Sequence, residues 1–297
     1  MVLLSSHRSF EPFIKEDIMY ESYFEKLRVE GKLRNLTESS IRNYSDSLER
    51  FLRWVKKSPE ELTCEDVRNY ILFKQSQGVS ATTINMYNSG IRFFYRHVLQ
   101  ILWDDESVPR LKIDYHVPVT LSPEEIDRLL QATPNLKYRV MLSTMYSAGL
   151  RVSETTHLHY EDISRKNMQI HVRQSKSRSD RYTLLSKRNL ELLTEYWFSC
   201  GRPTDILFPS KWNGGYISTS TVEQFMRKSV KAAGIEKAAS PHSLRHSFAC
   251  HLLEAGVDAR YIQALLGHRD PKSTEVYLHI SNKSLMGIES PFDYMRS

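Results

Sequence analysis

From Pro241 to Ile280 the chain reads PHSLRHSFACHLLEAGVDARYIQALLGHRDPKSTEVYLHI. His242 and Arg245 stand at spacing i,i+3, just past a proline suited to the first position of a helix. Side chains so spaced face the same way. The start of a helix also turns backbone N–H groups toward any anion nearby. Gly256 and Gly267 read as C-terminal caps, which divides the stretch into helices at about residues 242–255, 258–266 and 271–278. His268 follows the second cap directly, and Tyr277 comes nine residues later.

Two segments upstream extend this set. Arg151 sits in SAGLRVSE, residues 147–154, just past a helix that Gly149 breaks. Lys176 sits in VRQSKSRSDRYTLL, residues 172–185. Residues 168–174 and 181–185 alternate polar and apolar around a polar turn, which predicts a β-hairpin with Lys176 in or beside its turn. Together these segments bring two arginines, a lysine, two histidines and a phenol. Arginine carries a planar fork that grips phosphate in bidentate fashion and stays charged at any working pH. Such a set holds and attacks a phosphodiester without needing a metal, so phosphoryl transfer on nucleic acid leads.

The remainder is helical punctuation. Predicted helices run over about 12–30, from Thr37 to about 57, from a Thr63/Asp66 capping box to about 77, and from Ser80 to about 99. The pattern then breaks between Trp103 and Thr120, in a stretch holding two prolines. Ser122-Pro123-Glu124-Glu125 reopens it as N-cap, proline and capping-box glutamate. Further helices are expected to about 133 and over 136–148, 187–199 and 219–233. The expected organisation is a helical domain over 1–103, a linker over 104–119 and a second domain over 120–297. The fold class is mainly α with a small β-sheet.

Bulk composition fits this reading. At 40% hydrophobic and 26% charged residues the chain is a folded globular protein rather than a disordered one. No apolar run approaches the ~20 residues of a membrane span, and the N-terminus lacks the features of a secretory signal; a cytoplasmic, nucleoid-associated protein is expected. Cys64, Cys200 and Cys250 are odd in number and far apart, with no CxxC or HExxH, so neither a disulfide framework nor a zinc site is expected. A net charge of +6 alone is weak evidence for nucleic acid.

AGLRVSE, HSLRHSFA, LLGH and Tyr277, in this order and spacing, resemble the tyrosine recombinases of the Xer and phage-integrase type over nearly the whole chain. The tail Ser290-Pro291-Phe292-Asp293 also resembles the end of integron-type integrases, but the extra insert such enzymes carry before HSLRH is missing. The turn around Lys176 departs from the often glycine-rich family pattern, and Arg178 and Arg181 are cations nearby. The resemblance implies an N-terminal four-helix, SAM-like core-binding domain and a C-terminal catalytic domain. It implies cleavage and rejoining of duplex DNA through a 3′-phosphotyrosine, with no metal, ATP or other cofactor.

The implied catalytic residues are Arg151, Lys176, His242, Arg245, His268 and Tyr277. Arg151 and Arg245 clamp the phosphate from two sides, and Glu154 orients the first of them. His268 donates to a phosphate oxygen, His242 handles protons, Tyr277 attacks, and Lys176 protonates the departing 5′ oxygen. His246, His251 and His279 read as structural or surface residues. Candidate DNA contacts are Arg42, Asn43, Thr82, Thr83, Asn85 and Arg92 in the first domain, with Arg50 and Arg53 beside them. In the second they are Arg173, Arg178 and Arg181, with Lys211, Arg227 and Lys228 adding phosphate contacts. The implied partners are duplex DNA with paired inverted core sites and three further copies of the chain. The apolar C-terminal tail (Leu285, Met286, Ile288, Phe292, Met295) is expected to pack on a neighbour in that tetramer. Two other readings share parts of this inventory: a DNA-relaxing enzyme like the type IB topoisomerases, and a catalytically silent DNA-binding regulator.

Overall fold

The computed structural model describes residues 11–113, 117–173, 180–202, 204–211, 214–268, 270 and 277, with the side chains of 11–19 left aside. The chain divides into two compact units, Met1–Tyr115 and His116–Ser297. The helices of the first unit begin where the capping residues stand. Helix α1 spans Glu11–Leu33, and α2, Glu38–Val55, starts at Thr37, whose hydroxyl accepts from the Ser40 N–H. Helix α3, Cys64–Ser76, opens on the reciprocal Thr63/Asp66 box. Helix α4, Ala81–Phe94, opens on Ser80 and closes in a π-helical turn over Tyr95–Leu99.

These helices enclose a core that includes Leu27, Phe51, Tyr70, Phe94 and Tyr95. Each large side chain so buried contributes roughly 1.5–3 kcal/mol. Gly90 is needed where α4 crosses α2, because a Cβ there would lie 2.9 Å from Ser47 Cβ and 3.0 Å from Tyr44 Cα. Val108, within the stretch read as linker, is buried in this same core.

The second unit begins with α5, Pro123–Gln131, on the Ser122/Glu125 capping box. Helix α6, Leu136–Ala148, ends at Gly149, whose φ of +63° is the left-handed cap conformation. A five-residue helix α7, Val152–Thr156, follows. Three antiparallel strands come next in the order β1 (Ile163–Ser164), β2 (Gln169–Val172), β3 (Arg181–Leu184). The expected hairpin is β2–β3; β1 is an addition, pairing Ile163 with Ile170. Ile170 and Val172 face Thr183 and Arg181 across the ladder, and all four are buried.

Helices α8 (Lys187–Ser199), α9 (Thr219–Ala232), α10 (Pro241–Glu254) and α11 (Ala259–Leu266) complete the unit. α10 packs on α6, and α11 on β3. The main core gathers Leu142, Met145, Ile170, Phe208 and Leu244 among others. A second cluster of Phe248, Cys250, Leu253, Ile262 and Leu266 closes over Tyr277. No described helix is long and apolar enough to cross a membrane. The mainly α fold with a small sheet is the one expected.

Candidate active site

Arg245 projects from the second turn of α10 and is almost wholly buried, at 4% exposure. Its Nη1 donates to the Gly149 carbonyl at 2.7 Å and its Nη2 to the Leu266 carbonyl at 2.6 Å. Nη2 also lies 3.1 Å from His268 Nε2. A guanidinium only donates, so Nε2 is the acceptor and the neutral His268 ring carries its proton on Nδ1. Burial, followed by the charge of Arg151, lowers the Arg245 pKa to about 10. The side chain therefore stays charged at neutral pH.

Glu154 ties three arginines together. Its carboxylate accepts from Arg151 Nη1 at 2.7 Å and from the Arg151 backbone N–H at 2.9 Å. Arg181 binds it in bidentate fashion, at 2.9 and 2.7 Å. Arg245 Nη1 stands 3.7 Å from it. Burial pushes the Glu154 pKa up, but the Arg181 bonds and charge, with those of Arg151, outweigh it and hold it at about 2. Glu154 thus orients Arg151, as expected, and two further arginines besides.

His242 is exposed on the first turn of α10. Partial loss of hydration around its ring lowers its pKa, and the charges of Arg245 and Arg151 lower it further. The same causes bring His268 down to about 4. Tyr277 is 3% exposed. Its ring lies nearly parallel to that of His268, with centroids 6.3 Å apart. Burial raises its pKa, against the lowering charges of Arg245 and Arg151. Of the six expected catalytic residues, Arg151 and Arg245 meet at Glu154, His268 bonds Arg245 and stacks beside Tyr277, and His242 feels the charges of both arginines. The sixth, Lys176, lies outside the described residues, as does Arg178.

His246, which the sequence reading gives a structural or surface role, lies with its Nδ1 3.1 Å from the Tyr277 hydroxyl. The available signal was its spacing: His246 is i,i+4 from His242 and so shares its helix face. His251 instead bonds the Tyr146 hydroxyl through Nδ1 at 2.9 Å, and His279 lies outside the described residues.

Two of the expected DNA contacts are corrected. Arg181 is buried, and its three guanidinium nitrogens are taken by Glu154 and the Leu265 carbonyl, so it is an internal strut. Asn85 is buried too, with its amide donating to the Leu111 carbonyl at 2.8 Å and accepting from the Leu111 N–H at 2.9 Å. Arg92 pairs with Asp105 at 2.7 Å. Arg173 pairs with Glu161 and Asp162, each at 2.6 Å. Thr83 is half-buried and shares a hydrogen bond with the Ser80 hydroxyl. Arg42, Asn43 and Thr82 are exposed on their helices.

Residues 120–284 match the phage integrase family, and residues 19–105 match the N-terminal SAM-like domain of phage integrases. The chain is 34% identical over 282 residues to the integrase/recombinase y4qK of Sinorhizobium fredii, covering 94% of this chain and 91% of that one. It is 32% identical over 284 residues to the tyrosine recombinase XerD of Oceanobacillus iheyensis, covering 89% and 94%. In fold it superimposes on the XerH site-specific recombinase, solved with its palindromic difH substrate after cleavage. The TM-score is 0.71 at 19% identity, over 98% of this chain and 92% of that one. With the motifs in order, both domains matched and the arginines meeting beside a buried tyrosine, this chain belongs to the phage integrase family of tyrosine recombinases.

Proposed function

We propose that the protein is a site-specific recombinase that cuts and rejoins duplex DNA through a 3′-phosphotyrosine. One observation carries this: Arg151 and Arg245, from separate segments, meet at Glu154, with Tyr277 stacked beside the histidine that Arg245 binds. The attacked phosphorus gains negative charge on its non-bridging oxygens, and positioned guanidiniums that need no rearrangement stabilise it. Tyr277 supplies the attacking oxygen. His242 works beside the two arginines at the phosphate edge, and His268 supplies a further donor there. Lys176 protonates the 5′ oxygen as it leaves. The phosphotyrosine conserves the phosphodiester energy, so a second 5′ hydroxyl rejoins the strand without ATP. The cations of the site take the charge that a metal would otherwise take.

The XerH precedent supports duplex DNA with inverted core sites as the partner. Four copies of the chain assemble on paired sites, each giving its tail to a neighbour, in the cytoplasm at the nucleoid. Arg42, Asn43 and Thr82 contact the DNA from the first unit, and the hairpin cations Lys176 and Arg178 from the second.

The test is a suicide substrate, nicked so that cleavage cannot reverse. Wild type is expected to form a covalent protein–DNA adduct in the presence of a chelator, and Tyr277→Phe none. An adduct persisting in Tyr277→Phe sinks the assignment of the nucleophile. A plasmid lacking any core site, relaxed as fast as one with two, would favour a topoisomerase-like enzyme.

A further inference from the structure

Among the described residues, the Tyr277 hydroxyl shares a hydrogen bond with His246 Nδ1 at 3.1 Å. The two rings are packed as well as bonded, with centroids 5.6 Å apart. His246 is half-buried between the phosphate-facing turn of α10 and the apolar cluster that covers Tyr277. We propose that His246 accepts the proton of Tyr277 as the phenol attacks, and is therefore a catalytic residue in its own right. This rests on the reading of Tyr277 as the nucleophile.

The chemistry balances within the site. The Tyr277 oxygen forms its bond to phosphorus while the bond from phosphorus to the 5′ oxygen breaks. The phenolic proton passes to His246 Nδ1, whose ring then carries a proton on each nitrogen. The leaving 5′ oxygen takes a separate proton from the general acid assigned to Lys176. Rejoining runs the same transfers backwards.

The groups around the pair decide when the transfer happens. They are His242, Arg245 and Cys250 on α10, His268 beyond α11, and Arg151 ahead of α7. Burial, then His242 and Arg245, holds the His246 pKa at about 4, so the ring is neutral, and in the tautomer protonated at Nε2 its Nδ1 accepts from the phenol. The same surroundings make it a weak base while the site is empty. A phosphate seated on Arg151 and Arg245 offsets their charge and raises the basicity of His246, so the proton is drawn off when substrate is bound. The tyrosine is thereby inert toward chance electrophiles until DNA arrives.

The experiment measures cleavage rate against pH on a substrate with a 5′-bridging sulfur, whose leaving group needs no acid. That isolates activation of the phenol from protonation of the leaving group. His246→Ala is expected to cleave roughly 100-fold slower near neutrality, within the range typical of a lost general base. Its deficit shrinks as pH rises, since hydroxide then removes the phenolic proton. His246→Asn, whose amide can hold the phenol but not take its proton, stays slow. Cleavage by His246→Ala within twofold of wild type across the pH range overturns the proposal, as does full rescue by His246→Asn. Melting and DNA binding measured alongside show that each variant is folded. Tyr277→Phe is the control: adduct from it overturns the nucleophile reading itself, whereas an inert Tyr277→Phe with a fast His246→Ala overturns the role of His246 alone.

Discussion

Glu154 is the residue on which the cations of the site depend. It is 8% exposed and faces Arg151, Arg181 and Arg245. Removing one partner of a buried ion pair leaves uncompensated charge behind and costs about 3–5 kcal/mol. Glu154→Ala is expected to lose stability in that range in denaturant unfolding, and to lose adduct formation with it. Because the folded pKa of about 2 lies below the ordinary 4.5, Glu154 contributes its stability fully above pH 4.5 and loses it as pH falls toward 2. The acid limb of wild-type unfolding should therefore flatten in Glu154→Gln; an unchanged limb would show that other carboxylates set it. The pair of Arg151 and Glu154, three apart, was legible in the sequence. Arg181 was not, since its partner lies 27 residues away and nothing local distinguishes a strut from a DNA contact. His246 and Tyr277 are 31 apart and hidden for the same reason.

Local chemistry sets most of the elements. Thr37, Thr63, Ser80 and Ser122 each accept an N–H of the first turn, and each was read correctly as an N-cap. What escaped was short or irregular: β1 has two residues, α7 five, and the π-helical turn after α4 has no pattern of its own. Periodicity needs several residues to register, and these have too few. Gly149 shows an element boundary becoming part of the site. A Cβ there would lie 2.4 Å from Phe248 Cδ1 and 3.0 Å from Leu266 Cδ2, on a backbone with φ of +63°. Gly149→Ala is expected to cost about 2–5 kcal/mol, adding left-handed strain to overpacking. A melting curve checks it, and because the Gly149 carbonyl holds Arg245, cleavage should fall at temperatures where the variant is still folded.

The two units have separate hydrophobic clusters, and the family match covers each under its own heading. The helical pattern breaks after Trp103, whereas the units divide after Tyr115 and Val108 belongs to the first core. The proposed assembly on paired sites reaches beyond either unit. That proposal draws on the last residues, where Leu285, Met286, Ile288, Phe292 and Met295 are apolar. Deleting 284–297 is expected to leave single-site cleavage near wild type while synapsis and strand exchange fall at least tenfold, read by gel shift of paired sites and by recombination of a two-site plasmid. Recombination at the wild-type rate would remove the tail from the assembly.

Arg245 is held by main-chain oxygens at the ends of two helices, the Gly149 carbonyl after α6 and the Leu266 carbonyl of α11. Each helix end carries about half a negative charge from its aligned peptide dipoles, so the backbone cradles the guanidinium alongside its side-chain neighbours Glu154 and His268. Its position is consequently indifferent to much of the sequence of α6 and α11 and sensitive to their length. One residue inserted in either helix swings the terminal carbonyl by about 100° and aims it away from the arginine. A change in the count of residues in either helix is what this geometry does not tolerate.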